Sequence, residues 1–232
     1  MNRSYESEYM DAPGSEPAVL VDDLRNLRAM NRLLGGSRGL LYGLKRLLRE
    51  ENLTSFSMLD VGTGSADIPA AVAHWSRRRC VTPRIIALDA HAIMVKIAAE
   101  RTNGFPEISV IQSDGGALPF RPSSFDVVTA SQFLHHFSEA KIVTLLQRWA
   151  TLARRAIVIS DLIRHPAAYY GIYAVTRLCT RNRMTIHDAT LSVKRALTLR
   201  EWKKILNKAA VGRVQICSIA PFRMSAIIFK PS

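Results

Sequence analysis

A chain of 232 residues with a formal net charge of +13 and 48% hydrophobic residues is long enough for one medium-sized domain with a core of its own. Its three cysteines, Cys80, Cys179 and Cys217, are far apart and stand in no CxxC or His-rich spacing, which excludes a disulfide framework or a zinc site and fits a reducing cytoplasm. No apolar run approaches the roughly 18 to 20 residues of a membrane span, and the polar, acidic start is unlike a secretory signal, so a soluble cytoplasmic protein is expected.

Residues 1–18 read as a flexible tail, and 19–56 as an N-terminal helical cap. Within the cap, Leu20, Leu24 and Leu27, then Leu40, Leu44, Leu47 and Leu48, recur at helical spacing on either side of Gly35-Gly36. From residue 57 the pattern changes to short apolar runs separated by helical stretches, the mark of a parallel sheet with crossover helices. Strands are predicted at 57–61, 84–88, 108–112, 125–130 and 156–161, and helices at 68–78, 92–101 and 139–152. Beyond residue 161 the alternation stops. An apolar, aromatic stretch at 167–179 and a polar, basic loop at 180–193 suggest a helical substrate-lid insertion after the fifth strand, at about 164–196. Thr198 and Glu201 have the spacing of a capping box for another helix. Two apolar runs, 213–220 and 225–230, flank Pro221-Phe222-Arg223 as a terminal hairpin.

From Leu162 onward there are 13 Lys and Arg against Asp188 and Glu201 alone. Such a field attracts RNA, an anionic membrane surface or an acidic substrate, or is simply a solvated basic face.

The predicted first strand ends in Asp60 and runs into Gly62-Thr63-Gly64, a turn that lets a ligand approach the backbone without Cβ obstruction. Two glycines alone suit NAD, FAD or S-adenosylmethionine (SAM). The dinucleotide pattern, however, needs glycine where Asp67 stands. Pyrophosphate would be repelled by Asp60 and Asp67 on both sides of the loop, whereas SAM has no phosphate and carries an ammonium and a sulfonium. Asp89 ends the second strand, where a carboxylate can accept both ribose hydroxyls, and Asp114 follows the third, placed to meet an adenine amino group.

On these residues, 59–64, Asp89, Ser113-Asp114 with Leu118-Pro119-Phe120, and 125–128, the chain resembles the class I SAM-dependent methyltransferases over 19–231. Asn31-Arg32-Leu33-Leu34 and Leu134-His135-His136-Phe137 look like the ubiquinone/menaquinone C-methyltransferase group. The segment 160–164 with Tyr169-Tyr170-Gly171 and Thr185-Ile186-His187-Asp188 looks like methyltransferases found with polyketide pathways. The resemblance implies an α/β, Rossmann-like seven-stranded sheet, mostly parallel with the last strand antiparallel, filling a methyltransferase domain over 57–232. It implies SAM contacts from Gly62, Gly64, Asp89, Ala90, Asp114, Gly115, Ser131 and Gln132. Asp60 would organise the methionine end, and Asn31 and Arg38 would reach the cofactor carboxylate.

Methyl transfer is an in-line displacement, so the protein contributes alignment and exclusion of water, with a base only where the acceptor carries a proton. His135, after the fourth strand, and His187, beside Asp188 in the lid, are the candidates for that role; His136 is expected to turn toward structure. Tyr169, Tyr170 and Tyr173 with Ile172, Val175 and Leu178 would form an apolar aromatic face, for packing, for a hydrophobic acceptor or for a membrane surface. No Asn/Asp-Pro-Pro-Tyr signature follows the fourth strand, which makes RNA the second choice behind a hydrophobic small molecule. A catalytically silent SAM-fold binding protein is the third reading.

Overall fold

The computed structural model describes residues 1–9 and 17–231; residues 10–16 of the expected tail and the side chain of Leu20 lie outside the described residues. The cap is α1 (Pro17–Leu33) and α2 (Arg38–Glu50). Then follow β1 (Ser55–Val61), α3 (Asp67–Arg77), β2 (Thr82–Asp89), α4 (Ala92–Thr102), β3 (Ile108–Gln112), β4 (Phe125–Ser131), α5 (Glu139–Leu152) and β5 (Ala153–Leu162). The chain ends with α6 (Pro166–Cys179), α7 (Arg183–Arg195), α8 (Leu199–Ala209), β6 (Arg213–Ile219) and β7 (Arg223–Phe229).

The strands form one seven-stranded sheet in the order β3-β2-β1-β4-β5-β7-β6, with β7 antiparallel to both its neighbours. Period-2 alternation sends neighbouring strand residues to opposite faces. Val128 and Ile157 pack with Ile142, Trp149, Trp202 and Leu206 of α5 and α8. Val127 and Val158 pack on the other side with Leu40, Leu44 and Leu47 of α2 and Val72 of α3. α2 lies close on β5 and β7 because a Cβ at Gly43 would come within 2.7 Å of Val158 and 2.8 Å of the Ser225 hydroxyl. α8 starts with the expected capping box, the Thr198 hydroxyl accepting from the Glu201 N–H and the Glu201 carboxylate from the Thr198 N–H. No helix among the described residues is long and apolar enough to cross a membrane.

Two expectations are corrected. The segment 180–193 is not a loop: α7 occupies most of it, started by Asn182, whose side-chain oxygen accepts from the Met184 and Thr185 N–H groups. Its buried face mixes Thr185 and Asp188 with Ala189, Leu191 and Val193, so the apolar stripe that betrays most helices is diluted. Residues 1–9, expected as loose, lie against α7 and the turn after β4. Arg3 donates to the carbonyls of Arg195 (2.8 Å), Phe137 (2.8 Å) and His135 (3.2 Å), and Glu8 is buried. The polar composition that suggests disorder here supplies hydrogen bonds instead of apolar burial.

Candidate active site

The parallel strands β1, β2, β4 and β5 deliver Asp60, Asp89, Ser131 and Asp161 to one edge of the sheet, the edge at which open α/β sheets bind ligands. Asp60 is buried beneath the glycine turn. Its two carboxylate oxygens accept from the hydroxyls of Thr129 (2.6 Å) and Thr63 (2.8 Å). Burial pushes this carboxyl up to about 6, the two hydroxyls oppose the rise, and the neighbouring Asp89 adds to it. Asp89 braces the turn from the next strand, one oxygen accepting from the Gly64 N–H (2.9 Å) and the other from the His91 N–H (3.0 Å).

Gly62 and Gly64 both have positive φ, +68° and +55°, which a side chain would strain. They differ in their surroundings. The place of a Cβ on Gly62 is taken by the Phe133 ring, whereas nothing lies within 4 Å of one on Gly64. The loop therefore exposes backbone at Gly64, beside Asp89, with Asp60 below. Asp67 starts α3, accepts from Arg101 (2.7 Å) and from the Ser65 hydroxyl (3.0 Å), and burial raises its pKa. An open glycine turn between buried carboxylates fits a cationic ligand without phosphate, as SAM is.

The other expected cofactor residues stand in varied settings. Asp114 is exposed and accepts from the Gly116 N–H (2.7 Å), and the Gly115 carbonyl accepts from the Trp149 indole (3.0 Å). The Ala90 carbonyl accepts from Gln112 (3.1 Å). Gln132 has positive φ and donates its N–H to the Ser160 carbonyl (2.8 Å), while the Ser131 hydroxyl is buried with no partner among the described residues. Asn31 accepts from Arg223 of β7 at 3.2 Å, and Arg38 is exposed at the start of α2. Arg223, which the sequence reading passed over, is buried under the α1–α2 turn, and burial lowers it to about 10 against the opposing pull of Asp161.

At the far side of β4 stands a second cluster. His135 is 3% exposed; its Nδ1 lies 2.7 Å from Asp161 Oδ1, and its N–H donates to Asp161 Oδ2 at 3.2 Å. A carboxylate can only accept, so Nδ1 carries a proton, and in the neutral ring Nε2 is then the acceptor nitrogen. Nε2 is buried without a hydrogen-bond partner among the described residues and faces Glu8 Oε1 at 3.9 Å. The His136 ring stacks on His135 with centroids 4.4 Å apart, and ligand atoms of Glu8, His135 and His136 all lie within 4.8 Å of one another. His187 of α7 lies 2.8 Å from Asp188, and Tyr9 stacks on its ring at 3.9 Å. The two candidate histidines thus flank the same N-terminal segment. Asp161 and Glu8 were missed as site residues. Asp161 had a signal, a carboxylate at a strand end like Asp60 and Asp89, whereas nothing local in the sequence marks Glu8.

Residues 58–156 match the model of a methyltransferase domain family. No curated protein matches the chain in sequence. Among solved structures, the chain is similar to a SAM-dependent methyltransferase from Aquifex aeolicus, at 19% identity over 87% of this chain and 97% of that one, with a TM-score of 0.60. It is also similar to the magnesium protoporphyrin IX methyltransferase of Synechocystis PCC 6803 with S-adenosylhomocysteine bound, at 15% identity over 96% and 91% of the two chains (TM-score 0.59). A third likeness is to a plantazolicin methyltransferase in complex with a triazolic desmethyl analog and S-adenosylhomocysteine, at 13% identity over 92% and 90% (TM-score 0.67).

Proposed function

We infer that this class I SAM-dependent methyltransferase acts on a hydrophobic small molecule, aromatic or polyketide-like, at an oxygen or an acidified carbon that gives up a proton. The observation that carries the reading is the buried pair of Asp161 and His135, 2.7 Å apart, beside the strand ends that hold the glycine turn. When bound, SAM supplies a methyl group already activated on a sulfonium. The residues that would hold it are Gly62, Gly64, Asp60, Asp89 with Ala90, Asp114 with Gly115, and Ser131 and Gln132; Asn31 and Arg38 of the cap would reach its carboxylate.

Nε2 of His135 would take the proton that the acceptor gives up on methylation. Asp161 holds the ring in the required tautomer and stabilises the imidazolium. The surrounding buried shell excludes water. His187, with Asp188 behind it, serves on the α7 side as a second polar contact for the acceptor.

The test is transfer of label from methyl-labelled SAM to alkylphenols and 1,3-diketones. An organic-extractable methylated product is expected. Label in the RNA fraction, with binding that falls steeply with salt, would identify an RNA methyltransferase. Cofactor binding with no transfer to any component of a cell extract would identify a silent binding protein.

A second contact is supported by α6, whose Tyr170, Tyr173 and Leu178 are exposed next to Arg177, Arg181 and Arg183. This apolar, basic end suits transient contact with an anionic membrane surface. Sedimentation with phosphatidylglycerol vesicles but not phosphatidylcholine vesicles, abolished by salt, is the expected result.

A further inference from the structure

Arg223 opens β7, which runs antiparallel to β5 and sets Arg223 opposite Leu162, so it stands at the sheet edge where the parallel strands end. Only 2% of it is exposed. Both of its side-chain hydrogen bonds among the described residues go to the cap. Nη2 donates to Asn31 Oδ1 at 3.2 Å and Nε to the Leu34 carbonyl at 3.4 Å, while Nη1 is buried without a partner among those residues. A charge this deep is costly unless an anion answers it. Asp161 attracts it, but the Asp161 oxygens are engaged by His135 and the Leu162 N–H.

The direction of donation fixes the orientation of Asn31. A guanidinium can only donate, so the amide oxygen faces Arg223 and the NH2 group is turned away from it as a donor. The turn after α1 holds the residue there: Gly35 has φ of +69°, and a Cβ on Gly36 would come within 2.9 Å of Asn31 Cβ. Leu24, Arg28 and Asn31 follow one another at i, i+4 and i+7 along one side of α1. Leu24 packs with Met94 of α4, Arg28 acts electrostatically on Asp67 at the start of α3, and Asn31 meets Arg223 of β7. This side of α1 therefore crosses the sheet edge that carries the glycine turn, with the Asn31 amide at its β7 end.

We propose that Arg223 is a positioning residue for the cofactor's carboxylate: it holds the Asn31 amide with its NH2 group toward that carboxylate, and its buried charge acts through the amide. The proposal rests on the reading that Asn31 reaches the carboxylate of SAM. It brings β7, far from the glycine turn in sequence, into cofactor recognition, and it gives the buried guanidinium its anion.

The test is a binding measurement and needs no turnover. Calorimetry compares S-adenosylhomocysteine with S-adenosyl-3-thiopropylamine, its decarboxylated counterpart, which keeps the adenosine, the thioether and the ammonium. The wild-type chain should prefer the ligand with the carboxylate, and Asn31→Ala should reduce that preference about tenfold. Arg223→Met should reduce it by a similar factor, and the double variant by no more than the larger single loss. Affinity for the decarboxylated ligand should change less than about twofold throughout. Arg223→Lys keeps the charge without the planar fork and should recover part of the preference. Should Arg223→Met not melt cooperatively, Arg223→Lys carries the test, with an expected loss of about threefold. Equal weakening of both ligands would make Arg223 a support of the fold alone and overturn the proposal. Additive losses in the double variant would overturn it too, since Arg223 would then act independently of Asn31. An unchanged preference in the Arg223 variants, with Asn31→Ala reduced, overturns the proposal and leaves the reading of Asn31 standing. No preference in the wild type, or one unchanged in Asn31→Ala, removes that reading and the proposal with it.

Discussion

The Thr129 hydroxyl donates to Asp60 Oδ1 at 2.6 Å inside the sheet, joining β4 to β1 directly beneath the glycine turn. Thr129 has no exposed surface and Asp60 scarcely any, so this is a charge site prepared in low dielectric before any ligand arrives. Its second hydroxyl, from Thr63, comes from the turn itself, which couples the shape of the loop to the charge below it.

Cofactor affinity should follow the titration of Asp60. Burial lifts its folded pKa from 3.8 to about 6, so ionisation weakens the fold: the stabilising contribution is complete below 3.8, is lost as pH rises through about 6, and changes no further above that. An ammonium bound near Asp60 favours the ionised form, so binding releases a proton. Affinity for S-adenosylhomocysteine should rise about tenfold from pH 5 to pH 7 and then level off. Asp23 of α1, also buried and lifted to about 6, titrates in the same window and affects stability there too. Calorimetry separates the two, since Asp60→Asn should flatten the affinity profile and Asp23→Asn should not.

Asp89→Ala removes the acceptor of both the Gly64 and the His91 N–H groups. Leaving them without that partner should cost about 1 to 3 kcal/mol of stability. The rise in melting temperature produced by saturating S-adenosylhomocysteine should largely vanish, because the carboxylate that would meet the ribose is gone. A ligand-induced shift equal to that of the wild type would remove Asp89 from the cofactor site.

The parts of the fold that were legible are those in which local pattern and tertiary packing agree. β3 and α5 match their predicted bounds end for end, because Ile108 and Val110 alternate on a sheet while Ile142, Leu145, Leu146, Trp149 and Leu152 form one helical stripe. α7 was hidden because its buried positions include Thr185 and Asp188, whose partners sit far away in sequence. Asn26 of α1 donates to the Thr185 hydroxyl at 3.3 Å, and Tyr9 donates to Asp188. The glycine turn with its aspartates was readable from residue type and strand-end position. Glu8 was not, because a partner that helps to hold it, the Ser192 hydroxyl, lies far away in sequence.

Asn182→Ala tests how much α7 depends on its cap. The Asn182 side chain accepts from the Met184 N–H at 2.9 Å and the Thr185 N–H at 3.3 Å, and donates to Asp22 at 2.9 Å, so the substitution strips the first turn and one tie to α1. A loss of about 1 to 2 kcal/mol is expected from chemical denaturation. Faster amide exchange should be confined to α7 and the N-terminal residues that rest on it. Uniformly faster exchange would show that α7 opens only with the whole domain.

Asp161→Asn separates a positioning role from a merely structural one. The carboxylate accepts from His135 Nδ1 at 2.7 Å, from the His135 N–H at 3.2 Å and from the Leu162 N–H at 2.8 Å. An amide of nearly the same shape keeps one acceptor oxygen and can hold the backbone, but it can turn its NH2 toward Nδ1. The ring then carries its proton on Nε2, and the lone pair that would take the acceptor's proton is lost. The rate constant for methyl transfer should fall by about 10² to 10⁴, with affinity for S-adenosylhomocysteine unchanged. His135→Asn should lose a similar factor, and the double variant no more than the larger single loss, since the two residues act as one unit. Additive losses, or a fall in cofactor affinity that parallels the fall in rate, would place the pair in the scaffold of the site and outside its chemistry.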